Sequence, residues 1–338
     1  MKNILTILLL FSLSSAMATI RRVNNNTGVV PVSGLVYTTL QAAVADAADD
    51  DTLYIEPSAT DYSFGPSSTS VSKRLHYIGN GYRVNENQSL TSPLPFDVKK
   101  SRIGATFILA AGSEGSTFRS LSFGPVGIIA QAGNLLFSRC SFEASANLSL
   151  SSQNNILEQC FAFVQASISQ VGGNNIFRNC TWAGTIQSQN NGLFDQCYIG
   201  SLSGITNGVI TNSIIKTISN VGTTNGFSFC IKLIDGNANT FPTPGINNNI
   251  ENQAIADVFV QNPNIANFDT FDKSFRSTAT SPALGSGSSG QDIGPFGGSN
   301  PYRLSGQPNV PIITNFYLET TGSTASGIAG SITIQSNN

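Results

Sequence analysis

Four cysteines, Cys140, Cys160, Cys180 and Cys197, recur at steps of 20, 20 and 17 residues. Six residues before each stands an asparagine: Asn134, Asn154, Asn174 and Asn191. Three residues before each stands a large apolar residue: Phe137, Leu157, Phe177 and Phe194. Regularly spaced thiols suggest metal binding or redox chemistry. A metal knuckle needs two ligands close in sequence, which steps of 17 or more deny, and His76 is the chain's one histidine. Five cysteines leave at least one thiol unpaired, and Cys230 falls outside the column. Leu121 and Ser213 fill the cysteine slot one unit earlier and one unit later. The slot is therefore expected to select a small core side chain, and neither a metal nor a cofactor is expected.

Charges lie two residues before the slot: Arg119, Glu158, Arg178 and Asp195, with Ser138 and Thr211 at the same position. Glu158 and Asp195 are the candidate catalytic carboxylates. Another charge concentration, Lys73, Arg74, Arg83, Asp97, Lys99, Lys100 and Arg102, is the candidate for holding an acidic sugar. Asp46, Asp49, Asp50 and Asp51 form the densest acidic run. They lack the alternating ligands and central glycine of an EF-hand loop and read as a solvated helix end.

The elements that position these residues follow from the repeat. Ile128, Leu148, Ile168, Ile186, Leu202 and Ile218 form a second column at steps of 20, 20, 18, 16 and 16. Small polar residues flank them from the second copy onward, an alternation that marks a strand with one buried face. Units this short leave no room for a helix, and one unit fits one coil of a parallel β-helix. Coils stack about 4.8 Å apart, so equivalent residues form ladders. The asparagine column then reads as a turn ladder, since Asn tolerates left-handed backbone and stacked amides bond along the axis.

With this ladder and LHYIGNGY (Leu75 to Tyr82), the chain resembles right-handed parallel β-helix proteins of the pectate-lyase-like superfamily, over roughly Leu53 to Gly298. SPALGSGSSGQDIGPFGG (Ser281 to Gly298) resembles the closing coil of exported bacterial members. The resemblance implies an all-β, single-stranded right-handed parallel β-helix. It leaves activity open, because the superfamily holds lyases, hydrolases, adhesins and structural spikes. Its pectinolytic members use clustered aspartates, or calcium-binding acids with a basic residue, and the regular coils contain no such cluster. Glu158 and Asp195 would stand roughly 9–10 Å apart, two coil steps, near the upper end for inverting glycoside hydrolysis. Arg178 between them would keep both ionised, where a general acid needs a raised pKa. The three are read as a surface clasp that sets coil register.

The second column leaves a polar strip facing outward: Asn147/Ser149, Ser167/Ser169, Thr185/Gln187, Ser201/Ser203 and Thr217/Ser219. The first reading of such a strip is a solvated sheet face; next comes a face that docks a glycan or a partner, and last, given its serine content, one that binds ice. Residues 1–18 have the layout of a secretory signal peptide, with cleavage expected after Ala18. Tyr37 to Ala48 reads as a helix capping the open end, with Leu40, Ala43, Val44 and Ala47 on one face. The β-helix domain is expected over 19–300, and a C-terminal β appendage with two strands over 301–338. Charged residues make up 11% of the chain and the net charge is −2, which gives no case for nucleic acid. No segment is expected to insert in a membrane. The sequence thus favours an exported, non-enzymatic scaffold or adhesin-like protein whose partner is a polysaccharide or cell-surface glycan. The alternatives are a polysaccharide lyase or glycoside hydrolase, and an ice-binding protein.

Overall fold

A computed structural model describes residues 18–66, 69–82, 99–163, 165–169, 172–236, 240–242, 246–260, 272–306, 312–319, 321 and 327–335. The repeat folds as a parallel β-helix of about nine turns. Short strands in each coil build three faces.

The first face is an 11-stranded sheet that includes Leu136–Ser138, Ile156–Glu158, Ile176–Arg178, Leu193–Asp195 and Val209–Thr211. Its central residues point inward and stack. Tyr77 lies on Phe118 at 4.6 Å, Phe118 on Phe137 at 4.9 Å, and Phe177 on Phe194 at 4.6 Å. These offsets match the spacing at which aromatic pairs attract beyond their burial. The apolar residue three before the cysteine is therefore the inner rung of the first face.

The cysteine follows a left-handed corner. The residue before the slot has positive φ in successive coils: Ser120, Arg139, Gln159, Asn179, Gln196, Asn212 and Phe229. The thiol then turns inward and donates to two carbonyls, as Cys180 does to Arg178 O at 3.2 Å and Leu157 O at 3.4 Å. Ser213 uses its hydroxyl the same way, donating to Thr211 O at 2.7 Å. Cys230 also belongs to this column, contrary to the sequence reading. It donates to Ser228 O and Ile210 O, and Ile231 after it pairs with Ile214. All five thiols are free and buried. Burial pushes Cys160 and Cys197 up, and Cys230 up to about 12, so they behave as small core residues with a donor.

The asparagine column has the expected turn geometry, with φ of 58° at Asn134, 61° at Asn154, 59° at Asn174, and 51° at both Asn191 and Asn207. The stacked amides, however, lie one residue later. Asn155 and Asn175 are fully buried. Asn155 donates its side-chain amide to Asn175 Oδ1 at 3.1 Å, and Asn175 donates to Gln189 Oε1 at 2.9 Å.

The second face runs through Ser122–Phe123, Ser141–Phe142, Phe161–Ala162 and the first residues of Thr181–Gln187, Tyr198–Ser203 and Ile214–Ser219. Phe123, Phe142 and Trp182 point into the main core. Phe161, Tyr198, Ile214 and Ile231 point outward into a second core with Val258, Phe259, Phe275, Ala283, Ile293 and Tyr302. The segment expected as a closing coil is instead a strap that crosses the coils. It runs back along the corner residues. Gly294 N donates to Asn212 O at 2.8 Å, Asn179 to Gly297 O at 2.9 Å, Gln159 to Pro301 O at 2.7 Å, and Ser120 Oγ to Gly306 O at 2.9 Å. Pro301 and Gly306 thus contact the corner residues as the strap before them does. Beyond them, Ile312–Leu318 and Gly330–Gln335 pair as an antiparallel hairpin.

At the other end, the capping helix is Leu40–Asp46, shorter than expected because Thr39 caps it by accepting from the Ala42 amide. Leu40, Ala43 and Ala47 are buried as the pattern predicted. Of the four aspartates, Asp46 and Asp49 are exposed, as a solvated end would have them, but Asp51 departs from that reading. Asp51 is 1% exposed and accepts from Thr19 N, Arg21 Nε and Ala48 N.

Candidate functional site

The third face carries the outward polar strip. Its strands include Asn147–Leu150, Ser167–Ser169 and the later residues of Thr181–Gln187, Tyr198–Ser203 and Ile214–Ser219. The inward residues Leu148, Ile168, Ile186, Leu202 and Ile218 are buried, which forces their neighbours outward. Asn147, Ser167, Thr185, Ser201 and Thr217 pair in direct succession. Beside them run Ser149 with Ser169, and Gln187 with Ser203 and Ser219. Every member is partly or fully exposed. The result is an uncharged grid, about 4.8 Å between coils and roughly 6.6 Å between columns. Ser169 Oγ donates across the coil step to Asn147 Oδ1 at 3.1 Å.

Two glycines hold the later coils of this face in place. A Cβ on Gly184 would lie 1.8 Å from Ala166 O, and one on Gly200 would lie 2.0 Å from Ala183 O. They mark the register shift between Trp182 and Thr185, where the second face passes into the third without a break in the strand. The grid ends upward at Ile129, which pairs with Ser149, and Ile108 above it.

The candidate carboxylates lie on a different face. Ser138, Glu158, Arg178, Asp195 and Thr211 pair in succession on the first sheet, so Glu158 and Asp195 stand two coils apart as expected. The expected clasp does not form. Among the described residues no ion pair joins Arg178 to either acid, and Arg178 is exposed. Asp195 instead accepts from Thr211 Oγ1 at 2.7 Å and Asn212 Nδ2 at 2.9 Å. Neighbouring hydroxyl and amide donors satisfy it without a cation.

The basic residues are divided among separate partners. Lys73 Nζ donates to the carbonyls of Val44, Ala45 and Ala47, where the helix leaves its last carbonyls unpaired. Arg74 pairs with Asp50. Lys100 and Arg102 both pair with Glu143, at 3.1 and 2.9 Å, and Arg102 also reaches Asp61. Lys99 is exposed just before them. Arg83 and Asp97 lie outside the described residues. No group of His, Cys, Asp and Glu among the described residues could hold a metal ion. Among them, no helix is long and apolar enough to cross a membrane.

Sequence reasoning missed a ladder beside the charged column. Leu136, Ile156, Ile176, Leu193 and Val209 pair in succession and point outward from the first face. Val209 is 49% exposed. The signal was present, since an apolar residue stands two positions after each column asparagine.

No family model matches the chain, and no curated protein matches it. A solved structure similar to it is the pectin methylesterase from Aspergillus niger, in deglycosylated form, at 14% identity and a TM-score of 0.29. The match covers 76% of this chain and 91% of that one.

Proposed function

We propose that the chain is an exported, non-enzymatic β-helix scaffold that docks a polysaccharide or cell-surface glycan along its third face. The observation that carries this reading is the five-coil register of uncharged hydroxyl and amide side chains. Hydroxyls both donate and accept, as sugar hydroxyls do, and the coil step is close to the length of one pyranose unit. A grid fixed by buried neighbours loses little side-chain freedom when a regular polymer settles on it. The Glu158 and Asp195 pair supports catalysis less well, because each acid lies on an open strand and the two belong to another face.

The test is a glycan array and a pull-down on insoluble polysaccharides, with wild type and the double variant Ser167→Leu/Thr185→Leu. Binding without turnover, lost in the double variant, is expected. Cleavage of any bound glycan would overturn the non-enzymatic reading. Binding that survives the double variant would remove the third face from it. Thermal hysteresis lost in the same variant would point to ice in place of a glycan.

A further inference from the structure

We infer that cleavage after Ala18 creates an ion pair between the new α-ammonium of Thr19 and the buried carboxylate of Asp51, fastening the first coil. The inference rests on the exported reading only for the position of the cut. Thr19 N already lies 2.7 Å from Asp51 Oδ1. Its place is fixed by strand pairing, since Thr52 N donates to Thr19 O at 2.9 Å and Ile20 pairs with Thr52. Ala18, on the other side of the bond, is exposed.

The local charges leave room for a second cation. Asp51 Oδ2 accepts from Arg21 Nε at 2.8 Å and from the Ala48 amide at 2.9 Å. Arg21 is shared, because its Nη1 also serves Asp46, which holds the Tyr37 hydroxyl as well. The other nearby charges are engaged elsewhere. Asp50 is taken by Arg74 with His76 alongside, Asp49 accepts the Arg74 amide, and Lys73 caps the helix carbonyls. One guanidinium thus stands between two carboxylates. In the uncut chain Thr19 offers a neutral amide to this arrangement. Hydrolysis by a leader peptidase adds the elements of water: hydroxide to the Ala18 carbonyl carbon and a proton to the Thr19 nitrogen. A second proton from solvent completes the ammonium at the same nitrogen. The contact becomes a charge-assisted hydrogen bond to a buried carboxylate in a part-buried site.

The test compares the chain beginning with free Thr19, the same chain acetylated on that nitrogen, and the chain extended by Ala18. The free-amine form is expected to have a folding constant about tenfold higher than the other two, in keeping with the greater strength of charged hydrogen bonds. Its amine should resist acylation until the protein unfolds. Asp51→Asn should abolish the difference between free and acetylated forms. If Asp51→Asn does not fold, the comparison within the wild type still decides. Equal stability of the three forms, or free acylation of the native amine, overturns the ion pair. The first residue of the secreted chain, read by mass spectrometry, tests the cut separately, so a different start sinks the assigned cleavage and leaves the stability result standing.

Discussion

Replacing Asn175 and Asn174 in turn separates two physical roles that adjacent asparagines play in the same turn. Asn175 is fully buried. Its Oδ1 accepts from the Asn155 main-chain N at 3.0 Å and from Asn155 Nδ2 at 3.1 Å. Its Nδ2 donates to Gln189 Oε1 at 2.9 Å and Gly172 O at 3.3 Å. Asn175→Ala leaves the buried Asn155 N–H without this acceptor, at about 1–3 kcal/mol, and removes further bonds that contribute about 0.5–1.5 kcal/mol each. With three further bonds the terms span about 2.5–7.5 kcal/mol in total. Asn174 is exposed, and its φ of 59° is its main contribution. Asn174→Ala should cost about 1 kcal/mol, the scale of the left-handed penalty, and Asn174→Gly should be close to neutral. Urea titrations at constant slope give both numbers from the shift in midpoint. An Asn174→Ala variant as destabilised as Asn175→Ala would refute the amide ladder as the stronger term.

Tyr77 is buried with a hydroxyl that has no hydrogen-bond partner, so Tyr77→Phe should stabilise the fold by about 1 kcal/mol, read by thermal unfolding. Gly184→Ala should destabilise by at least about 3 kcal/mol, since its Cβ would meet main-chain oxygen and only backbone movement can relieve the clash. The five thiols should not react with a water-soluble disulfide reagent in the native protein and should all react after denaturation. Burial alone would raise the Asp51 carboxyl, but the Thr19 and Ala48 amides and Arg21 outweigh it and hold it below its ordinary range. A lowered folded pKa stabilises above the unfolded value of about 3.9 and is lost as pH falls through the folded one. Stability should therefore fall below about pH 4, and Asp51→Asn should flatten that acid limb.

The period, the inward columns and the outward polar strip were legible because burial of one strand face imposes alternation on the sequence. The second face was not, because its strands are two residues long with both sides buried, as in Phe161–Ala162. Such segments show no alternation, and the partners of their outer side lie more than a hundred residues away, as Phe161 and Phe275 do. Asn154 and Asn155 are identical in type, and only backbone conformation tells the turn residue from the stacked amide. Cys230 escaped the column because Ser213 interrupts the cysteines and Thr224, not asparagine, stands six positions before it. The basic residues looked like one group because sequence proximity concealed their different partners. Coil geometry sends Lys73 to the helix end and Arg102 to Glu143.

The strap changes how the stack can come apart. In a plain solenoid each coil meets only its neighbours, so a pull at one end peels coils off singly. Here one segment is stitched to corner residues from Asn212 back to Ser120, so those coils share a fastening that must be undone first. The same stitch orders assembly in time. As the chain emerges from its N-terminal end, coils can stack as they appear, but the outer side of the second face is covered only as the residues from Val258 onward arrive, and the last stitch waits for Gly306. The protein is thus sealed last along a seam, like a garment closed after it has been put on, and its resistance to force belongs to that seam.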